Sequence, residues 1–449
     1  QKEFTQYYPA LGWVEHDAME IWQTQLAVAR QVIQKAAIHP KEIAAIGITN
    51  QRETWVIWDK TTGLPISKAI VWQDRRTAYH CERLKKEGYE EKIRRKTGLV
   101  IDAYFSATKA AWILENIPSA KEKNEQLAAG TIDSWLIWQL SKGKLHLTDV
   151  TNASRTMLFN IHTLTWDEEL LDLFQIPRHI LPDVRPCSEV YGYTHPEVFG
   201  EEIPIAGVAG DQHAALFGQL CLQEGNIKNT YGTGCFLMLN TGKKPVFSAS
   251  RLLTTIAFQY NQQTFYALEG SVFIGGAAIQ WLRDGLQVLN DAQESELLAP
   301  SVPDNGGVYF VPAMTGLGAP YWDAFARGSI FGITRATTKA HLVRATLEAV
   351  AFQVNDVLKA MEKDIGQPLS VLNVDGGVAK NNFLLQWQAN ISSMTILRSA
   401  DVETTAKGVA FLAGISVGFW KSVEELFALR HIDHSYQPNM DEKYREKIL

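Results

Sequence analysis

Two side chains of opposite charge, Arg52 and Glu53, stand together in the run Asn50-Gln51-Arg52-Glu53, directly after an apolar, β-branched stretch. A guanidinium only donates hydrogen bonds and an ionised carboxylate only accepts them. In a cleft the pair can clamp hydroxyls in complementary orientations, whereas on an open surface it is a solvated turn of little energetic weight. A further acid, Asp211 in Ala209-Gly210-Asp211-Gln212, also follows a strand-like run. There a carboxylate can take up a proton or bind a metal, and the plainer reading is a helix cap.

Three glycine-bearing turns can present backbone donors to an anion. Tyr231-Gly232-Thr233-Gly234 can fold a hairpin tip around a phosphate, with the Thr233 hydroxyl as an extra donor. Val374-Asp375-Gly376-Gly377 ends a strand-like run ahead of a helical stretch at 381–391, and Gly270-Ser271 with Gly275-Gly276 precedes another at 277–284. Taken alone, each is more often an ordinary turn. No G-x-x-x-x-G-K-[ST], G-x-G-x-x-G or H-E-x-x-H run occurs. Gly414-Ile415-Ser416-Val417-Gly418 matches the nucleophile-elbow pattern, yet Ala406, Gly408, Ala410, Ala413 and Gly414 read as the small face of a closely packed helix rather than a strand-turn-helix.

The elements that must position these residues alternate in type. Asp17 can cap a first helix, with Glu20 placed for a capping box and Met19, Trp22, Leu26, Ala29 and Ile33 at helical spacing. Strands are expected at 43–49, 54–58 and 69–72, helices at 109–116, 131–140 and 167–174, and a strand at 203–208 running into Gly210-Asp211. Strand character restarts at 226–240, which puts a domain boundary near 218–224 in an α/β chain without a Pro/Ser-rich linker. Neither tandem repeats nor low-complexity tracts are present.

The chain has 449 residues, room for two domains, and a net charge of -6. That charge disfavours nucleic acid and anionic membranes as partners. The longest uncharged run, 305–322, is broken by Pro312, Pro320 and glycines, unlike a spanning helix. Four cysteines without C-x-x-C spacing and an opening Gln1-Lys2-Glu3-Phe4 without an apolar core fit a cytoplasmic setting.

Taken in order, these segments resemble the FGGY carbohydrate kinases. The likeness is carried by residues 12–17, 47–54, 71–73, 104–109, 151–156, 209–212, 229–236, 316–323 and 375–377, and so runs nearly end to end. The resemblance implies two actin-like (ribonuclease H-like) ATPase domains with an interdomain cleft. The first, 1–218, would bind the polyol and lack the family's first strand and phosphate loop; the second, 219–449, would bind the nucleotide. It further implies phosphoryl transfer from ATP, with Mg2+, to glycerol, and a homo-oligomer, dimer or tetramer. Carried over by position, Arg52, Glu53, Trp72, Tyr104, Asp211, Gln212 and Phe236 would contact the polyol, with Asp211 as general base and metal ligand. Thr233, Gly276, Gln280, Gly377 and Asn381 would contact the nucleotide.

Some positions depart from the family pattern. Ala110 replaces a large apolar residue, and His213 stands where a Gln is usual. Gly200-Glu201-Glu202 is acidic where some members carry a loop for an inhibitory sugar bisphosphate, so no such inhibition is expected; Glu197 occupies the place of a phosphorylated histidine, with His195 offset from it. Family chains open on a strand with an Asp and a Gly-Thr-Thr-Ser-rich loop, which does not precede Gln1; a protein truly starting there is expected to have an open sheet edge and little activity. Alternatives are a kinase of a related polyol or ketose, and a nucleotide-switched actin-like binding protein.

Overall fold

A computed structural model describes every residue except Ala324. The chain divides into two units, one of Gln1–Gly218, Thr255–Phe265 and Thr405–Ala428, the other of Gln219–Thr254, Tyr266–Thr404 and Leu429–Leu449. Among the described residues no helix is long and apolar enough to cross a membrane.

In the first unit, Asp17 caps the helix Ala18–Ala36 by accepting from the Met19 and Glu20 amides at 2.9 and 3.2 Å. The expected capping box is not closed. Glu20 Oε1 instead accepts from the Thr5 amide and hydroxyl, both at 3.0 Å, so a partner distant in sequence displaces the local one. The strand Ile46–Asn50 pairs in parallel with Pro204–Gly210, which in turn pairs antiparallel with Ser188–Tyr193. A six-stranded sheet centres on Trp55–Asp59, buried along its whole length, with Leu127–Thr131 beside it. Trp58 and Trp135 pack edge to face in its core, their ring centroids 5.4 Å apart.

The helix Thr404–Ser416 lies so close to the three-stranded sheet that a Cβ on Gly47 or Gly207 would come within 2.5 Å of its backbone. This accounts for its small residues. Ser416 ends the helix with its hydroxyl donating to the Ala206 and Ala413 carbonyls, so the Gly-x-Ser-x-Gly run is the end of a helix and the turn after it and forms no nucleophile elbow. Ile46–Asn50 is the terminal strand of its sheet, and beside it is an apolar cavity of about 610 Å³ lined by Trp22, Leu26, Ile33, Val409 and Ala413, among others.

The second unit is built on a sheet with the order Gln263–Val272, Cys235–Gly242, Ile227–Tyr231, Val371–Asp375, Thr395–Ser399, Ile432–Tyr436, the first of these strands entering the unit at Tyr266. Ile227–Tyr231, Val371–Asp375 and Thr395–Ser399 run parallel. The helix Lys339–Ile365 buries Val343, Leu347, Val350, Val354 and Leu358 in this unit's core, a three-to-four-residue spacing that turns one helical face inward. All four cysteines are free thiols and buried.

Candidate active site

In the first unit the parallel strands Ile46–Asn50 and Pro204–Gly210 are in register, with Asn50 opposite Gly210. Both therefore end at the same edge of the sheet, the place where open α/β sheets bind ligands. Arg52 leaves one strand end and Asp211 the other, where it opens the helix Asp211–Gly218. Their side chains meet, Arg52 Nε lying 3.1 Å from Asp211 Oδ1. Gly210 makes this possible, because a Cβ there would come within 2.5 Å of Arg52 Cγ. The Gly210 amide is held by the Thr151 hydroxyl at 2.9 Å, which itself donates to Asp149 Oδ2 at 2.7 Å.

The Arg52 side chain is only 2% exposed while that of Asp211 is 34% exposed, so the carboxylate can still be reached. Glu53 is buried, with φ at +64°, and its carbonyl accepts from the Ser106 hydroxyl at 3.1 Å. Arg52 Nη2 donates to the Tyr104 hydroxyl at 3.4 Å, and Tyr104 packs edge to face on half-buried Trp72 at 5.5 Å. The Gln212 amide donates to Asp211 Oδ1 at 2.7 Å. Six of the seven expected polyol residues thus belong to this unit, and Arg52, Glu53, Trp72, Tyr104 and Asp211 adjoin one another within it. Phe236 lies in the second unit, on the strand Cys235–Gly242.

Two residues not singled out from sequence support this group. Lys109, wholly buried, donates to the Ala103, Tyr104 and Phe105 carbonyls at 2.6, 2.6 and 2.9 Å and so fixes the loop bearing Tyr104. Desolvation lowers its pKa to about 7, against the pull of the Glu53 charge. Arg155 Nε donates to Glu53 Oε1 at 2.6 Å. Both residues lie inside segments that carry the family likeness, which is the only sequence signal they give.

The expected nucleotide residues all belong to the second unit. The hairpin tip Tyr231-Gly232-Thr233-Gly234 is bonded to the start of the helix Gly276–Asp284 through Gly275 N to Thr233 O at 2.8 Å and Gly276 N to Gly232 O at 2.9 Å. Thr230 pairs with Asp375, and a Cβ on Gly376 would come within 2.4 Å of Tyr231 O, so the Asp375-Gly376-Gly377 turn abuts the same tip. The three glycine turns converge. Thr233 and Gly377 are exposed there, a Cβ on Gly377 would point into open space, and Gln280 is exposed on its helix. Asn381 caps the helix Asn382–Ser392, accepting from Leu384 N at 2.9 Å, and its amide donates to Ser295 Oγ at 3.2 Å. Buried Lys228 donates to the Phe236 carbonyl at 3.2 Å.

Residues 1–218 match the N-terminal domain, and residues 227–417 the C-terminal domain, of the FGGY family of carbohydrate kinases. The chain belongs to that family. This FGGY chain is 58% identical over 449 residues to glycerol kinase 2 of Thermotoga maritima, covering 100% of itself and 90% of that protein. Among solved structures it is similar to Plasmodium falciparum glycerol kinase with ADP, with TM-score 0.92, 38% identity, and coverage of 100% of this chain and 90% of that one. A ligand-bound xylulose kinase from Lactobacillus acidophilus follows the same fold, with TM-score 0.88, 25% identity, and coverage of 99% and 89%. The FGGY chain therefore has the two-domain α/β fold of these kinases.

Proposed function

We propose that this chain transfers the γ-phosphoryl group of ATP to a terminal hydroxyl of glycerol, giving sn-glycerol 3-phosphate and ADP. The observation that carries the reading is the buried Arg52–Glu53 pair set beside Tyr104, Trp72 and the accessible carboxylate of Asp211, in a chain similar along its length to proteins named glycerol kinase. Residues 1–218 are the polyol-binding part and 219–449 the nucleotide-binding part. Arg52 and Glu53 hold the hydroxyls, while the aromatic face of Trp72 takes the carbon edge and Gln212 adds an amide. Asp211 accepts the proton of the attacking hydroxyl, a poor nucleophile at neutral pH, and Arg52 keeps that carboxylate oriented. Thr233 and Gly377 receive the nucleotide phosphates, Gly276 lies against them with its amide bonded to Gly232 O, and Gln280 and Asn381 take the outer part of the nucleotide.

Among the described residues no three His, Cys, Asp or Glu side chains cluster as a metal-binding group. Kinase Mg2+ is usually held by phosphates and water with one or two carboxylates, and Asp211 fits as such a carboxylate; when bound, the ion neutralises phosphate charge.

A panel of polyols and ketoses assayed by coupled ADP release tests the reading. Glycerol is expected to give the highest kcat/KM, and clear preference for xylulose or another polyol would refute it. ATP turnover unaffected by any polyol would favour a nucleotide-switched binding protein.

A further inference from the structure

The segment Thr151-Asn152-Ala153-Ser154-Arg155-Thr156 is buried throughout, and Arg155 is among the largest side chains fully withdrawn from solvent. A guanidinium so deep needs an anionic partner, since burying a charge alone is costly. Its partner is Glu53. The contact from Arg155 Nε is 2.6 Å, whereas Arg52, the sequence neighbour, comes only within 3.8 Å of the same oxygen. Arg52 is turned instead to Asp211 at 3.1 Å.

We propose that Arg155 is a positioning residue for polyol recognition: it holds the Glu53 carboxylate ready to accept a substrate hydroxyl and leaves Arg52 to Asp211. This rests on the polyol-binding reading above. The geometry is built on both sides. Glu53 sits in the left-handed region at φ +64°, with the Thr54 amide bonded to Arg52 O at 2.7 Å across it, so its backbone fixes where the side chain starts. Arg155 follows the helix Val150–Ala153, whose cap Asp149 accepts from Thr151 N and Asn152 N at 2.9 and 3.0 Å. Its own amide bonds Asn152 O at 3.1 Å. The guanidinium lies 5.2 Å from the Phe105 ring centre and 5.6 Å from that of Tyr104, in cation–π range, which holds the Arg155 plane against the aromatic pair. The position of the Glu53 carboxylate is thus determined from a distant segment rather than by Arg52.

A double-mutant cycle on the full chain tests this, with Arg155→Lys, Glu53→Gln and both together. Lysine keeps the positive charge but not the planar fork, and thermal unfolding of each variant is followed so that a folding defect is told apart from a change in recognition. Arg155→Lys is expected to raise KM for glycerol about ten-fold or more, as for a weakened charge-assisted hydrogen bond, with KM for ATP unchanged. In the Glu53→Gln background the same substitution should cost less than about two-fold, because it acts through Glu53. Additive effects in the cycle, or equal rises in both KM values, would overturn the inference while leaving the function intact. Propane-1,2-diol and propane-1,3-diol give a second readout: discrimination against the analogue lacking the hydroxyl that Glu53 accepts should shrink in Arg155→Lys, and unchanged discrimination against both would count against the inference. Should the panel show another preferred polyol, the glycerol reading falls and the cycle is run with that polyol; a chain that phosphorylates none refutes both.

Discussion

Replacing Asp211 with Asn keeps its shape and removes its charge. Two effects follow, and their sizes separate them. The ion pair with Arg52 is partly solvent-exposed on the Asp211 side, at 34%, so its loss costs about 1 kcal/mol or less. By the usual conversion that is a factor of roughly five in affinity. Arg52 keeps its bond to the Tyr104 hydroxyl and the field of the Glu53 carboxylate 3.8 Å away, which it shares with Arg155, so the fold should survive. Loss of a general base, by contrast, lowers the rate roughly 10²- to 10⁴-fold, about 3 to 5 kcal/mol in the barrier. Steady-state ADP release with glycerol varied should therefore show a large fall in kcat, a KM change of a few fold and a near-unchanged melting temperature. A kcat within ten-fold of wild type, with the loss confined to KM, would show that Asp211 binds the polyol without accepting its proton.

Gly210→Ala places a methyl group within 2.5 Å of Arg52 Cγ and should turn Arg52 off Asp211, cutting kcat/KM at least about ten-fold at modest cost in stability; unchanged kinetics would show the close approach to be unimportant. The neighbouring glycines of the second unit should respond oppositely to alanine. Gly376→Ala meets a φ of +91° and the Tyr231 carbonyl, and should lower stability by roughly 1–3 kcal/mol in urea unfolding. Gly377→Ala meets nothing and should leave stability unchanged while raising KM for ATP; the reverse pattern would contradict the phosphate-site assignment. Burial, then the nearby Asp149, raises the pKa of Asp133 from 3.8 to about 7, so folding takes up a proton between those values and stability falls as pH rises through that window. Asp133→Asn should abolish that fall, and parallel urea midpoints for wild type and variant between pH 4 and 8 would refute it.

Much of the local structure is written in short stretches of sequence. Asp17 caps its helix because the cap and the amides it satisfies are within three residues of each other. The helix leading into Gly414 is legible from its small residues, though its end at Ser416 is not, and each glycine turn is legible from its own composition. The family likeness then named the site residues one by one. None of this places Arg52 on Asp211. That contact exists because Ile46–Asn50 and Pro204–Gly210 pair in parallel and end together, a long-range pairing whose register no local propensity sets. The same holds for the convergence of the 231–234 tip with Gly276 and Gly376, and for the recruitment of Thr255–Phe265 and Thr405–Ala428 into the first unit. The Glu20 capping box stays open for a related reason, since the Glu20 carboxylate is taken by Thr5 from outside the helix. Arg155 is the clearest case: in sequence it is a charged residue in a polar run, which ordinarily means surface, and only folding, by bringing the Glu53 carboxylate to it, makes its burial affordable. The sequence by itself determined which groups could do chemistry and what each turn could hold; the tertiary structure decided which of them meet, because charges and strand edges are satisfied by partners the chain reaches only when folded.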